Sequence, residues 1–128
     1  MKSSPNRCVP VFLVGTLRHR SAVASLLSPY HRAPATTRGR AYRMPAGQAV
    51  LALDGDDEIV GQLVQDVGFE ALPLIDMYEG VGEGLSRRAT VHVSVAGSNV
   101  DALTWVAVEP ERRAGVRVPG KRLRAEGL

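Results

Sequence analysis

The apolar residues of this sequence come in short runs cut by glycine, proline or Asp-Gly, and that spacing limits the fold more than any other feature. Residues 9–14 (VPVFLV) stop at Gly15. Residues 49–53 (AVLAL) stop at Asp54-Gly55-Asp56-Asp57, and residues 59–65 (IVGQLVQ) follow. Residues 90–95 (TVHVSV) alternate strictly, and Gly97-Ser98-Asn99 separates them from residues 103–108 (LTWVAV). Each run has the length of a strand, and β-branched side chains suit a pleated surface. None approaches the length needed to cross a bilayer.

The first run reads as a buried strand with Pro10 at its start. A short helix is expected over residues 21–27, with Ser21 as N-cap and Pro29 just beyond its end. Residues 28–37 read as a surface loop leading into a strand near residues 38–44. The Asp54-Gly55 dipeptide between apolar runs is a hairpin signal, because glycine accepts the positive φ of tight turns. These carboxylates lack the spacing of a calcium loop. From Gly68 to Glu79 the apolar residues Phe69, Leu72, Ile75 and Tyr78 recur every third position, as on an amphipathic helix, with Tyr78 expected in the core in preference to lining a cavity. Pro73 is tolerable there only within the first turn, where the N–H groups have no intrahelical partners. The two runs after Glu79 should pair as a hairpin, with His92 on its solvent face.

At 128 residues and 45% apolar content, the chain suits a single α+β domain over residues 1–128, with a core over about 9–108 and a basic tail over 109–128. The only cysteine, Cys8, cannot form an intramolecular disulfide and makes no zinc site, which fits a reducing, cytoplasmic setting. Lys2 and Arg7 before residues 9–14 superficially resemble a secretion signal. The run is short, Pro10 interrupts it and no small-residue cleavage site follows, so export is not expected. The net charge of +3 conceals segregation: +8 over residues 1–53, −8 over 54–101 and +3 over 102–128. Scattered arginines without interleaved aromatics do not make a nucleic-acid motif. A solvated surface, or a basic half lining a pocket for an anionic small molecule, is the favoured reading, with a basic nucleic-acid or acidic-partner binding module as the lesser alternative.

No Gly-x-Ser-x-Gly elbow is present, Cys8 has no evident His partner, and His19, His31 and His92 lack metal-ligand spacing. Gly80-Val81-Gly82-Glu83-Gly84 follows a helix instead of joining strand to helix, so it is no nucleotide loop. Two features stay open. The turn Gly15-Thr16-Leu17-Arg18 after the first strand has a glycine that lets backbone amides point outward, and an adjacent cation; such a turn can hold a carboxylate. Glu79 closes an apolar helix beside glycines that leave room for a ligand. Taken singly, each reads first as something plainer, an ordinary tight turn and an ordinary polar helix end.

Together, in order, they resemble the γ-glutamylcyclotransferase-like proteins, including the plant AIG2-like branch. Val14-Gly15-Thr16-Leu17 stands where that family has Tyr-Gly-Thr/Ser-Leu. Ile75-Asp76-Met77-Tyr78-Glu79-Gly80 matches its Leu-Asp-x-x-Glu-Gly helix end. Arg88-Ala89-Thr90-Val91 and Ala102-Leu103-Thr104-Trp105-Val106 match its two later strands, and the likeness spans roughly residues 9–108. It implies a small mixed β-barrel with flanking short helices and no cofactor; the short apolar runs and scattered arginines give no reason to expect a membrane or nucleic-acid partner. The implied substrate is a γ-glutamyl amine or amide, cyclised by its own α-amine to 5-oxoproline. Glu79 would be the catalytic acid/base, its pKa raised by desolvation. Gly15, Thr16 and Leu17 would hold the substrate α-carboxylate, with Arg18 as an electrostatic helper. Val14 departs from the pattern: it removes a ring and a hydroxyl from the implied pocket wall, which leaves open a binding-only member of the same fold.

Overall fold

The computed structural model describes residues 7–14, 26–27, 30–45 and 49–118. In chain order the elements are β1 (Cys8–Leu13), β2 (Arg32–Arg43), β3 (Ala49–Gly68), a 3-10 turn (Phe69–Ala71), α1 (Leu72–Glu79), β4 (Ser86–Val95), β5 (Ser98–Ala107), a second 3-10 turn (Pro110–Arg113) and β6 (Val116–Val118). Of the helix expected over residues 21–27, Leu26 and Leu27 are helical and the rest lies outside the described residues. No helix among the described residues is long and apolar enough to cross a membrane.

The strands form one mixed, six-stranded sheet whose pairings close in a ring. β1 lies antiparallel to β3, with Leu13 opposite Gln62. β3 lies antiparallel to β2 along its length, β2 meets β4 at Thr36 and Ser94, and β4 pairs with β5 from Ser86–Ala107 to Val95–Ser98. β5 returns to β1 in parallel, Leu103 beside Val11, and β6 adds to β2. Two joints of the ring, β1–β5 and β2–β4, rest on one ladder pair each. At each joint a buried threonine hydroxyl supplies a further bond. Thr104 donates to the carbonyl of Phe12 (2.7 Å), and Thr37 donates to that of His92 (2.7 Å).

The uninterrupted apolar run of β1 follows from burial on both faces. Phe12 and Val14 face the interior cluster with Leu51, Ile59, Leu63 and Val106, whereas Val11 and Leu13 face the layer formed with Leu27, Leu72, Ile75 and Trp105. β1 can lie so close to β3 only because residue 61 is glycine: a Cβ there would fall 2.5 Å from the Leu13 carbonyl oxygen and 2.6 Å from the Phe12 ring. The β1–β3 register shifts between Val9 and Val11, where Pro10 offers no N–H to the ladder.

Several expectations are corrected. Residues 32–37 are strand, not loop: β2 begins at Arg32, and Pro34 is accommodated where β3 flanks one side and no ladder pair is made on the other among the described residues. Asp54-Gly55-Asp56-Asp57 is no hairpin turn. β2 runs from Gly39 opposite Asp57 to Arg40 opposite Ala52, so residues 53–56 bulge out of one continuous partner strand. Both apolar flanks pair with the long β2 instead of with each other. Arg40 forms an ion pair with Asp54, Arg38 donates to the Asp56 carbonyl (3.0 Å), and Arg117 meets Asp57 (3.0 Å). Tyr78 and Phe69 are exposed at 44% and 46%, not core. Steps of three residues turn about 300° each, so Leu72 and Ile75 share a face that Tyr78 has already left, and Phe69 precedes the helix. Pro73 does sit in the first turn of α1. His92 is exposed, with its Nδ1 against the Asp101 carboxylate, and Ala96 and Gly97, both at positive φ, form the β4–β5 turn.

If the threonines fasten the ring's thin joints, Thr104→Val, which keeps shape and removes the donor, should cost about 1–2 kcal/mol in urea denaturation. Thr104→Ser should recover most of that loss.

Candidate functional site

Asp76 decides where α1 sits. Arg88 on β4 and Trp105 on β5 stand directly opposite one another in the sheet and receive its carboxylate between them. Arg88 donates from Nε to Oδ1 (2.8 Å) and from Nη2 to Oδ2 (2.6 Å), and the Trp105 indole N–H donates to Oδ1 (2.7 Å). A two-pronged guanidinium bond fixes orientation as well as distance. The Arg88 hydrogen bonds hold the Asp76 carboxyl below the usual carboxylate range; burial opposes this and the Trp105 bond adds to it. The same contact raises Arg88.

Glu79 is the last residue of α1 and is half-buried. Gly80 caps the helix in the left-handed region (φ 75°), its N–H returning to Asp76 and Met77. A Cβ on Gly80 would meet the Leu85 side chain at 2.9 Å, so glycine is needed for φ and for space. The chain then folds back: Leu85 N–H donates to the Gly80 carbonyl (3.0 Å), and Val108 N–H to that of Leu85 (2.9 Å). This fold brings Ser86, at the start of β4, to the same hollow as Glu79.

Glu79, Tyr78 and Ser86 thereby line a small hollow of about 70 Å³, closed by Leu85, by Met44 and Val50 from the ends of β2 and β3, and by Arg113. Arg113 comes from the stretch read in sequence as a basic tail. Its Nη2 donates to the carbonyls of Leu85 (2.9 Å) and Val108 (3.1 Å), and its Nε also to Val108 (3.3 Å). Only Pro110, favourable at the start of a helical turn, hinted in the sequence that Arg113 is held by local structure.

Gly15, Thr16, Leu17 and Arg18 lie outside the described residues. The strand leading to them does not. β1 runs parallel to β5 with Val11 beside Leu103, and β3 runs parallel to β5 with Leu51 beside Val106. Val14, buried at 6% exposure, packs in one cluster with Leu51 and Val106. β1 therefore ends at the same end of the sheet as Ala107 and its partner Ser86, which borders the Glu79 hollow. Asp76, Arg88 and Trp105 all belong to motifs visible in sequence, yet their meeting was not; only the fold places residues 12 and 29 positions apart from Asp76 on its two oxygens.

A group whose folded pKa is depressed contributes stability above its unfolded value, and loses it as pH falls through the folded value. Asp76→Asn should therefore cost about 1–2 kcal/mol near neutrality, given the partial exposure of Arg88. Urea titrations repeated below about pH 4 should show that gap closing, as the wild-type carboxyl protonates too.

Residues 11–125 match a family described as gamma-glutamyl cyclotransferase, AIG2-like. Among solved structures, an Arabidopsis thaliana protein is 23% identical with a TM-score of 0.67, covering 98% of this chain and 78% of its own. Bacillus subtilis YkqA is 21% identical with a TM-score of 0.65 over 81% of this chain, which spans only 42% of YkqA. An AIG2-like protein from Mus musculus is 18% identical with a TM-score of 0.63, over 82% of both chains. At these identities the likeness establishes the fold. No curated protein matches the chain by sequence.

Proposed function

The chain belongs to the AIG2-like gamma-glutamyl cyclotransferase family, and on that premise we propose that it is a cyclotransferase that releases 5-oxoproline from a γ-glutamyl amine or amide. The observation that carries this reading is Glu79: a half-buried carboxylate in a hollow at the end of the sheet where β1 terminates.

In the proposed reaction the substrate's α-amine attacks its own γ-carbonyl carbon. A C–N bond closes the five-membered lactam, and the original amide C–N bond breaks to expel the amine. Glu79 takes the proton that the α-ammonium must lose and returns one to the departing nitrogen, so the enzyme ends as it began. Because nucleophile and electrophile share one molecule, the protein's main contribution is to hold the substrate folded. The backbone N–H groups of Gly15, Thr16 and Leu17 hold the α-carboxylate, with the positive charge of Arg18 nearby. No cofactor enters the scheme, and a cytoplasmic setting suits a chain whose only thiol, Cys8, is exposed.

One observation favours a second reading, a member of the family that binds a small carboxylate without converting it. Val14 occupies the family's tyrosine position and its side chain is buried in the interior cluster, so that position supplies no hydroxyl.

Purified protein incubated with a panel of γ-glutamyl compounds should release 5-oxoproline. Glu79→Gln should lower the rate by at least about a hundredfold while leaving the thermal unfolding midpoint near that of wild type. Saturable binding of the same compounds without release would establish the second reading instead.

A further inference from the structure

Three polar side chains are buried among the described residues: Thr37, Ser86 and Thr104. Both threonines spend their hydroxyls on carbonyls at 2.7 Å. Ser86 does not: it is 7% exposed, it donates to no group among the described residues, and it lines the Glu79 hollow. Its direction follows from the strand. β4 pairs with β5 without a register shift from Ser86 to Val95, so residues 86 and 88 share a face. Ala89, Val91 and Val93 take the other face, against the interior cluster. Arg88 reaches from its face to Asp76 of α1 (2.8 and 2.6 Å). Ser86 therefore points to the same side, toward the layer of α1, where Glu79 stands about one helical turn beyond Asp76. Leaving a buried hydroxyl unpaired costs free energy, and a serine that only fills space has no need of one.

We infer that Ser86 is a second catalytic residue, whose hydroxyl donates a hydrogen bond to the γ-carbonyl oxygen of the substrate as that oxygen takes up negative charge. The inference rests on the cyclotransferase reading, and it supplies a partner for the one reacting atom that reading leaves without one. When the α-amine attacks, the new C–N bond forms and the carbonyl π pair moves onto oxygen. When the departing C–N bond breaks and its nitrogen takes a proton from Glu79, that pair returns and the C=O bond re-forms. Ser86 keeps its own proton throughout. The size of the hollow decides which part of a substrate lies there: about 70 Å³ is room for roughly two water-sized groups. The reacting amide fits beside Glu79, and little else does. The other walls offer the oxygen few donors. Met44, Val50 and Leu85 are apolar, the Gly80 N–H returns to α1, and Arg113 is held through Nε and Nη2 by carbonyls. A donor fixed on a strand in such surroundings is worth more than one in water, and an unpaired hydroxyl gives up no earlier bond to make this one.

The test is Ser86→Ala in the full chain, with 5-oxoproline release measured on the γ-glutamyl compound that the wild type turns over fastest. The variant's kcat should fall about a hundredfold while KM stays within about threefold. Its thermal unfolding midpoint should hold or rise, since alanine removes an unpaired buried polar group. Ser86→Thr, which restores a hydroxyl, should recover about tenfold of the lost rate. A second readout needs no turnover. In 5-oxoproline carrying ¹³C at the lactam carbonyl, the oxygen is the former γ-carbonyl oxygen, and its stretch should lie at lower frequency when bound to the wild type than to Ser86→Ala. A kcat for Ser86→Ala within about threefold of wild type overturns the inference. So does a loss that threonine does not recover, or the same carbonyl frequency in both complexes. A displaced acid limb of the pH profile in Ser86→Ala means that the hydroxyl acts through Glu79, and overturns its assignment to the oxygen. Release from no γ-glutamyl compound by the wild-type protein overturns the cyclotransferase reading itself, and this inference with it.

Discussion

The candidate site depends on the clasp of Asp76 by Arg88 and Trp105. α1 has only eight residues, and a helix of that length has no stability of its own in water. Its buried side chains, Leu72 and Ile75, hold it against the sheet by contacts that are not directional. Direction comes from the carboxylate, which takes three charge-assisted or polar bonds from two side chains set side by side on β4 and β5. Glu79 follows Asp76 by three residues, so the orientation of Asp76 sets the orientation of Glu79. Gly80 then reverses the chain without displacing Leu85.

The ring supplies the rest of the geometry. β5 is parallel to β1 and to the first part of β3, which gathers the end of β1, the start of β3 and the start of β4 at one end of the sheet. Part of the segregated charge of the sequence meets across this arrangement. The basic β2 lies against the acidic middle of β3, where Arg40 pairs with Asp54 and Arg38 bonds to the Asp56 backbone. Arg117 from the basic end of the chain meets Asp57. These contacts are exposed, and each adds little to stability.

Strand identity was legible where a run has a face to bury. The alternation in residues 90–95 and the continuous apolar run of β1 both read true, because one buried face and two buried faces leave different patterns. What misled was local chemistry that tertiary pairing overrode. Asp54-Gly55 carries a turn signal, but β2 is long enough to pair with both flanking runs, and the dipeptide became a bulge. Pro34 and its polar neighbours read as loop, although an open strand edge tolerates proline. That Glu79 closes a helix before a glycine cap was legible through its motif. Arg113 was not, because a cation held by backbone carbonyls leaves no pattern in sequence.

The central claim is that Glu79 and the main-chain donors of Gly15, Thr16 and Leu17 serve one ligand. The most direct measurement is a titration of isotopically labelled protein with 5-oxoproline, followed by backbone amide chemical shifts. The account predicts that the amides of residues 15–17 and those of Glu79, Gly80 and Ser86 shift together with a single dissociation constant. Shifts confined to one of the two groups, or saturating at different concentrations in each, would contradict it.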